Sequence, residues 1–335
     1  MTPAIFGIAG EALSADERAF FRDADPAGYI LFGRNTVARD QLRALTDDLR
    51  ALSGRERLPI LIDQEGGRVA RMKPPEWPAF PAAGRFDALY EVAPISAIEA
   101  ARANARALGL MLAEAGISVD CLPLLDVRQP GASDVIGDRA FGADPMRVAA
   151  LGRATLDGLA DAGIVGVVKH MPGHGRALVD SHHLLPVVDA DAEALESDLE
   201  PFIRLADAPM AMTAHVVYRA WDAERPATLS PRVIGEIIRE RIGFDGLLMS
   251  DDVDMKALSG SPAENGATAV AAGCDVVLNC WARMDDMIAT ARLLPAMTEA
   301  AARRLEQAMA VPAPSVAPAD RPALIAQRDA LLALV

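Results

Sequence analysis

Three observations predict that the chain adopts an α/β fold, a single-domain (β/α)8 TIM-type barrel. Eight short apolar runs alternate with longer segments in which apolar residues recur at the period of a helix. The runs are apolar on both faces, which is typical of parallel strands covered on both sides. Eight such units spread over about 290 residues suit a closed barrel better than an open sheet. We expect irregular first units and extra helices near the C-terminus.

The order of strands and helices can be read along the chain. The predicted strands begin at Ala4, Gly28, Pro59, Ser118, Val165, Met210, Gly246 and Cys274. The clearest predicted helices cover residues 39–52, 95–116, 143–163 and 230–243. Ser230 and Pro231 suit the N-cap and the first turn of the last of these helices. An open doubly wound sheet with an appended domain is the alternative, although no GxGxxG motif follows the first predicted strand.

Residues 1–335 are predicted to form one domain. The barrel core is expected over residues 4–292, and residues 293–335 are expected to be a helical extension packed on the barrel. The proline-rich segment VPAPSVAPADRP, residues 311–322, is predicted to join the helices of this extension.

The composition excludes some classes of partner. Lys and Arg number 33 against 47 Asp and Glu, so the formal net charge is −14. Such a surface repels phosphate backbones and anionic lipid, and neither a nucleic acid nor a membrane partner is expected. The N-terminal stretch lacks the basic region of a signal peptide, and three cysteines provide no disulfide framework. We therefore expect a cytoplasmic protein.

Polar residues follow most of the predicted strands, at the point where each apolar run ends. They are Asp63, Asp126, Lys169, His170, His215, Asp251, Asp252 and Asn279. The C-terminal ends of barrel strands converge on one face, where active sites lie, so these residues are expected to share one pocket. The alternative for each acid is that it caps the following helix.

Asp251 is a candidate nucleophile. Directly after a buried strand, an ionised carboxylate is able to attack a carbon or to stabilise developing positive charge. Asp252 meets the same criterion on spacing alone. The run SDDVD, residues 250–254, also allows a magnesium site, although no glycine-rich phosphate loop accompanies it.

Asp180 and His182 form a candidate acid/base dyad. They lie in the second of two long irregular loops, residues 74–86 and 172–188, and long loops within a compact domain are often functional. A carboxylate beside an imidazole fixes its tautomer and favours its protonated form. Gly173 and Gly175 are expected to make the loop pliable. A surface histidine beside a capping Asp is the alternative.

All five histidines fall between residues 170 and 215, which also allows a zinc hydrolase. That reading is disfavoured because barrel zinc hydrolases need an HxH on an early strand, and none is present here.

The segment LIDQEGGRVAR contains candidate ligand-binding side chains. Asp63 with Arg68 and Arg71 combines an acid with forked guanidinium groups, which suits sugar hydroxyls or a carboxylate.

Seven segments closely resemble glycoside hydrolase family 3. They are GYILFGRN from residue 28, IDQEGGRVAR from 62, LPLLDV from 122, DRAFGADP from 138, KHMPGHG from 169 with DSH four residues on, MTAHVVY from 212 and SDDVDMKAL from 250. The resemblance runs from about residue 5 to 290. The KHMPGHG and DSH motifs are specific to the family's bacterial single-domain β-N-acetylglucosaminidases.

The resemblance implies roles for particular residues. Asp251 matches the family's nucleophile, His182 its acid/base and Asp180 the partner of that histidine. The residues that match contacts to the terminal N-acetylglucosamine (GlcNAc) are Asp63, Arg71, Arg139, Lys169 and His170. The departures from the family pattern are Met171, Val253 and the segment MKPPEW after Arg71. The last departure affects the aglycone side and not the chemistry.

The resemblance also implies a reaction. It is the retaining hydrolysis of terminal β-linked GlcNAc from peptidoglycan fragments, GlcNAc-β-1,4-anhydro-N-acetylmuramic acid with or without a peptide, during cell-wall recycling. No cofactor and no metal is expected, the substrate is a small amino sugar or muropeptide, and the enzyme is expected to be a monomer or weak dimer. A family 3 β-glucosidase or β-xylosidase, which usually takes its acid/base from a second domain, is one alternative. A non-catalytic sugar-binding barrel is the other.

Overall fold

Eight parallel strands close into a barrel in the computed structural model, which describes residues 1–310 and 320–335. The described residues contain ten strands in all, namely β1 (Thr2–Gly7), β2 (Pro26–Leu31), β3 (Ile60–Ile62), β4 (Val119–Asp120), β5 (Val165–Met171), β6 (Val187–Val188), β7 (Met210–Thr213), β8 (Val217–Tyr218), β9 (Leu247–Asp252) and β10 (Val276–Asn279). The barrel order is β1-β2-β3-β4-β5-β7-β9-β10, and β10 pairs back with β1. Strands β6 and β8 form a separate two-stranded sheet. All eight predicted strands, and the predicted fold class, are confirmed.

Ten α-helices are present among the described residues. They are α1 (Ala15–Ala24), α2 (Arg39–Ser53), α3 (Gly84–Val92), α4 (Pro94–Glu114), α5 (Pro145–Asp161), α6 (Glu196–Arg204), α7 (Pro262–Ala272), α8 (Met284–Leu293), α9 (Glu299–Ala308) and α10 (Arg321–Leu332). The helix predicted from residue 230 forms, but Val233–Arg241 winds as a π-helix. Its predicted start is confirmed, because the Ser230 hydroxyl accepts the Val233 N–H at 3.1 Å.

Alternating strand residues fill two separate layers of the core. Side chains that point into the barrel form one buried cluster, whose strand members include Ile5, Leu61, Val119, Val165, Val167, Met210, Leu247, Met249, Val276 and Leu278. Their neighbours along the strands, such as Phe6 and Leu248, belong to the larger cluster shared with the helices. Both faces of each strand are therefore buried, which explains why the strands are continuous apolar runs rather than alternating ones.

The third and fourth units are irregular. Strands β3 and β4 contain only three and two residues, and each is followed by a long connection to the next helix. The first predicted loop, residues 74–86, is irregular until Gly84, where α3 begins. These connections provide room for polar side chains to turn back over the end of the barrel.

Helix α10 packs on the outside of the barrel helices, whereas Leu305 and Ala308 of α9 belong to the buried cluster inside the barrel. The Arg328 guanidinium of α10 donates to Asn104 Oδ1 of α4 at 3.0 Å and lies over the Phe80 ring at 5.6 Å. Residues 311–319 of the predicted proline-rich connection lie outside the described part of the chain. Within the described part, no helix has both the length and the apolarity that crossing a membrane requires.

Candidate active site

A pocket of about 390 Å³ lies at the C-terminal ends of the barrel strands. Its polar lining consists of Arg34, Asp63, Glu65, Arg71, Arg139, Lys169, His170, His174, Ser181, His182, Asp251 and Asp252. These residues come from strands and loops spread over most of the chain. The expectation that strand-end residues meet on one face therefore holds for Asp63, Lys169, His170, Asp251 and Asp252.

Buried ion pairs form one wall of the pocket. Lys169, which is 2% exposed, reaches Asp63 Oδ1 at 3.0 Å and Glu65 Oε1 at 2.7 Å. Arg71 donates to the second oxygen of Asp63 at 3.2 Å, and Arg139 donates to both oxygens of Glu65 at 2.8 Å. Burial alone would raise the pKa of Asp63, but the charges of Lys169 and Arg71 hold it below its ordinary value. The wall is thus a rigid array of donors and acceptors, suited to the hydroxyl and amide groups of a sugar.

Glu65 was not among the residues singled out from the sequence. Its burial and its two cationic partners show that it holds both Lys169 and Arg139 in place. The sequence signal was weak, because Glu65 stands two residues beyond the strand-end acid, in a glycine-rich turn.

Arg68, predicted with Asp63 and Arg71 to grip a ligand, lies elsewhere. Its guanidinium pairs with Asp138 at 3.1 Å and donates to the carbonyl of Asp134 at 2.6 Å. The prediction for Arg68 is wrong, because the turn at Gly66 and Gly67 directs its side chain toward the loop that precedes Arg139. Arg68 fixes that loop and does not line the pocket.

Gln64 holds Arg71 in position. The Gln64 side-chain oxygen accepts the Arg71 N–H at 2.8 Å, and the Gln64 N–H donates to Asp120 Oδ1 at 3.0 Å. Burial raises the pKa of Asp120 well above its ordinary value. Through Gln64, the backbone of Arg71 is therefore linked by hydrogen bonds to Asp120 at the end of β4.

Asp126 lies beneath the pocket and is fully buried. It accepts the N–H groups of His170 and His174 at 3.1 and 2.7 Å, and its second oxygen accepts the His170 Nδ1–H at 2.8 Å. Burial alone would raise the pKa of Asp126, but His170 and these hydrogen bonds lower it to about 2. The ionised acid fixes the tautomer of His170 and leaves Nε2 available to a ligand.

Two other strand-end residues, His215 and Asn279, make hydrogen bonds behind the lining of the pocket. The His215 ring bonds to Thr228 Oγ1 at 2.8 Å and to the Asp252 carbonyl at 3.0 Å, and Asn279 donates to Thr290 Oγ1 at 3.1 Å. Neither residue lines the pocket. Contrary to the expectation that all the strand-end residues share the pocket, these two and Asp126 support it instead.

None of the strand-end acids caps a helix. The side chains that cap α1, α5, α7 and α9 are those of Ser14, Asp144, Ser261 and Thr298.

Asp251 and Asp252 are adjacent carboxyl groups in different environments. For Asp251, burial favours the neutral acid, but His215, His170 and the N–H of Asp252 outweigh burial and lower the pKa. For Asp252, burial and the neighbouring Asp251 charge raise the pKa to about 6. Asp251 therefore stays ionised across the physiological pH range, whereas Asp252 takes up a proton as the pH falls through about 6. Among the described residues no group of three or more His, Cys, Asp or Glu side chains is arranged to hold a metal ion.

The predicted dyad is present on the loop that follows β5. His182 Nδ1–H donates to Asp180 Oδ1 at 2.7 Å, and the same oxygen accepts the His182 N–H at 2.8 Å. The hydrogen bonds from His182 lower the pKa of Asp180 despite its partial burial. The His182 side chain is 59% exposed and lines the pocket, so its free Nε2 is accessible to a bound ligand.

His174 and Ser181 form a second pair close to the dyad. His174 Nε2 and Ser181 Oγ lie 3.1 Å apart, and both residues are 4% exposed. Burial, followed by the nearby His170, lowers the pKa of His174 to about 4, so its imidazole is neutral at physiological pH. Ser181 was not singled out from the sequence.

Aromatic and cationic groups line the mouth of the pocket. The Phe32 ring lies 4.8 Å from the Arg34 guanidinium and 5.3 Å from that of Arg71. Beside them, where Arg34 donates to the Cys280 carbonyl at 2.5 Å, Trp281 is 59% exposed and precedes Ala282, whose φ of 56° is uncommon for a residue with a side chain. A large apolar ring presented at the rim of a polar pocket is typical of a contact for a ligand.

The fold and the site together define a class of protein. A (β/α)8 barrel that places a buried ionised carboxylate and a separate carboxylate–imidazole pair around one sugar-sized pocket is a barrel hydrolase. Residues 6–309 match the glycosyl hydrolase family 3 N-terminal domain, and the chain belongs to that family.

Comparison with known proteins confirms the resemblance drawn from the sequence motifs. The chain is 40% identical to a β-hexosaminidase of Bordetella avium (strain 197N) and 42% identical to one of Alkalilimnicola ehrlichii, in each case over 83% of this chain and 80% of the relative. The structure of NagZ from Neisseria gonorrhoeae in complex with N-trifluoroacetyl-D-glucosamine superposes with a TM-score of 0.87, at 31% identity, covering 99% of this chain and 98% of that one.

A further structure has a longer chain. A glycoside hydrolase family 3 β-N-acetylglucosaminidase from Paenibacillus sp. str. FPU-7 matches with a TM-score of 0.87 at 30% identity, over 98% of this chain and 67% of that one. The predicted class of enzyme, a family 3 glycoside hydrolase with β-N-acetylhexosaminidase activity, is confirmed by these relatives.

Proposed function

We propose that the chain is a retaining exo-β-N-acetylglucosaminidase of cell-wall recycling. Its substrate is GlcNAc-β-1,4-anhydro-N-acetylmuramic acid, with or without a peptide, and it acts in the cytoplasm as one domain, a monomer or a weak dimer. One observation carries the proposal: the ionised Asp251 lines the same pocket as His182, which is hydrogen-bonded to Asp180.

The terminal GlcNAc is held by Asp63, Arg71, Arg139, Lys169 and His170. These side chains are fixed before a sugar arrives, because each is already engaged in ion pairs or hydrogen bonds within the pocket wall. The binding of N-trifluoroacetyl-D-glucosamine by the relative from Neisseria gonorrhoeae supports an amino sugar here. The exposed ring of Trp281 offers an apolar face to the second sugar.

In the first step Asp251 attacks the anomeric carbon and the bond from that carbon to the leaving oxygen breaks. The lowered pKa of Asp251 keeps the carboxylate ionised for this attack. Protonated His182 donates its Nε2 proton to the leaving oxygen, while Asp180 holds Nδ1 and stabilises the imidazolium. The product is a covalent glycosyl ester of Asp251 and a free aglycone.

In the second step neutral His182 takes a proton from a water molecule. The resulting hydroxide oxygen bonds to the anomeric carbon, and the ester bond to Asp251 breaks. Two inversions at the anomeric carbon give net retention of configuration. His182 ends protonated and Asp251 ends ionised, so the site returns to its starting state.

Incubation with purified muropeptides tests the proposal. We expect mass spectrometry to detect free GlcNAc and the intact anhydro-muramyl product, with or without its peptide. Proton NMR during the first minutes is expected to show β-GlcNAc before mutarotation. Release of α-GlcNAc would overturn the retaining mechanism.

A pair of aryl glycosides separates the proposed activity from its nearest alternative. We expect turnover of nitrophenyl N-acetyl-β-glucosaminide and little turnover of nitrophenyl β-glucoside. Equal turnover of the two would favour a β-glucosidase, and binding of GlcNAc without turnover of either would favour a sugar-binding barrel.

A further inference from the structure

The tip of the loop that carries the proposed acid/base, residues 178–185, makes a single hydrogen bond to a described residue outside the tip. Between residues 178 and 185, the other hydrogen bonds described join members of the loop to one another, such as those from His183 and Leu184 to the Asp180 carbonyl. The exception is the bond from Ser181 Oγ to His174 Nε2, at 3.1 Å. The loop tip also exposes Leu178 and Leu184, so apolar burial does little to hold it.

His174 is itself firmly held. Its N–H donates to the buried Asp126 at 2.7 Å, and its ring packs edge-on against His170, with the centroids 5.6 Å apart. Asp126 also fixes His170, a proposed sugar contact. One buried acid therefore positions both the sugar contact and the imidazole that meets the loop.

Ser181 stands between the two members of the dyad along the chain. Because adjacent residues share their backbone, fixing the Ser181 side chain limits the positions available to both Asp180 and His182. The neutral state of His174 matters here, because a neutral imidazole bonds to a hydroxyl without placing a second positive charge beside His182.

We propose that His174 and Ser181 form a latch that holds His182 over the pocket, in reach of the leaving oxygen. The inference rests on the proposed function of His182. Both members of the latch are positioning residues, which act on the reaction through the placement of the dyad.

A serine bonded to a histidine also raises the possibility of a nucleophilic pair. That arrangement needs a third group, usually an acid, to orient the histidine from its other nitrogen. His174 Nδ1 is buried and has no hydrogen-bond partner among the residues described. The geometry therefore favours a latch over a serine nucleophile.

Ser181→Ala tests the latch, with Ser181→Thr as the variant that keeps the hydroxyl. We expect Ser181→Ala to lower kcat/KM by about 100-fold for the natural disaccharide, whose leaving oxygen needs a proton. For the dinitrophenyl glycoside, whose leaving group needs none, kcat/KM is expected to change by less than about threefold. Ser181→Thr is expected to recover most of the loss.

Two reference variants make the result specific. Thr46→Val removes another buried hydroxyl, which bonds to the Ala115 carbonyl at 2.8 Å far from the pocket, and is expected to leave both kcat/KM values unchanged. His182→Ala is expected to show the same dependence on leaving group as Ser181→Ala, but more strongly. Thermal unfolding of each variant reports whether the fold is retained.

The outcomes separate the two proposals. If His182→Ala lowers kcat/KM equally for both substrates, the acid role of His182 fails. If His182→Ala shows the expected dependence while Ser181→Ala lowers both values equally or neither, the latch is refuted and the acid role stands.

Discussion

At the scale of single residues, two adjacent carboxyl groups differ in pKa because their surroundings differ. Asp251 and Asp252 are chemically identical and consecutive, yet the pKa of one is lowered and that of the other is raised to about 6. The difference follows from which groups each faces. Asp251 faces imidazoles and an N–H, whereas for Asp252 burial and the charge of Asp251 outweigh the two backbone N–H groups that its carboxylate accepts.

Asp251→Asn is predicted to abolish turnover while the protein stays folded. Removing a nucleophile typically costs on the order of 10⁴-fold or more in kcat. Aryl glycoside kinetics measure the loss, and circular dichroism checks the fold. Asp252→Asn is the matched control, and it is expected to keep turnover within about tenfold of the wild type. A larger loss from Asp252→Asn than from Asp251→Asn would reverse the assignment.

Asp252→Asn is also predicted to change the pH dependence of stability. Because its pKa rises to about 6 on folding, Asp252 binds a proton more tightly in the folded protein. That contribution is fully present below about pH 4 and is lost as the pH rises through 6. At pH 7.5 the variant is therefore expected to be more stable than wild type by up to about 3 kcal/mol, at about 1.4 kcal/mol per pKa unit.

Urea unfolding of the two proteins at pH 4 and at pH 7.5 checks this prediction. The gain in the free energy of unfolding is expected at pH 7.5 and is expected to shrink at pH 4. A gain of equal size at both pH values would show that Asp252 does not titrate in this range.

At the scale of elements, the loop after β5 depends on close packing at its base. A Cβ atom added at Gly175 would lie 1.9 Å from the carbonyl oxygen of Val127. Gly175 is therefore required because two backbones approach closely there. Gly175, which is expected from the sequence to make the loop pliable, has a packing role in the structure. Movement of the loop tip stays a prediction.

Gly175→Ala is predicted to destabilise the protein by about 2 kcal/mol or more, because the backbone of the loop or of residue 127 has to move. Gly235→Ala is the matched control, since Gly235 lies in a helix with open space around it and Ala favours helix there by up to about 1 kcal/mol. Thermal unfolding and kcat/KM measure both variants. An unchanged melting temperature for Gly175→Ala would contradict the packing argument.

The strands and the four clearest helices were predictable, whereas several contacts between elements were not. The eight strands are readable because both faces of each are buried, so each run is largely apolar up to its C-terminal end. The pair of Glu65 with Arg139 joins residues 74 positions apart, and no local pattern shows it. The same holds for Ser181, whose role depends on where His174 lies after folding. The π-helix and the short sheet of β6 and β8 also depend on packing.

At the scale of the whole molecule, the packing of the C-terminal helix α10 on the barrel helices decides whether the chain unfolds as a single domain. Helix α10 covers α3 and α4, and its residues Leu324, Ile325 and Leu332 pack on the large core cluster. The pocket lies on a different part of the molecule and takes all its lining from residues before 310. Stability and catalysis are therefore expected to respond separately to changes in α10.

Deletion of residues 311–335 is predicted to lower the free energy of unfolding by about 2 kcal/mol or more, because apolar surface on α3 and α4 becomes exposed. The kcat/KM of the folded fraction is expected to stay the same. Calorimetry is expected to show one transition before and after the deletion, as for a single domain. Deletion of residues 334–335 is the control, and two transitions in the full chain would contradict the single-domain organisation.

The three tryptophans differ sharply in their exposure to solvent. Trp77 and Trp221 are 4% and 5% exposed, whereas Trp281 is 59% exposed at the mouth of the pocket. The intrinsic fluorescence of the protein therefore combines two shielded emitters with one that a soluble quencher can reach. A ligand that covers the mouth is expected to shift the emission of Trp281 to shorter wavelength and to protect it from quenching by acrylamide. The fluorescence of Trp281 can therefore report the binding of a ligand to the outer half of the pocket without a label and without turnover.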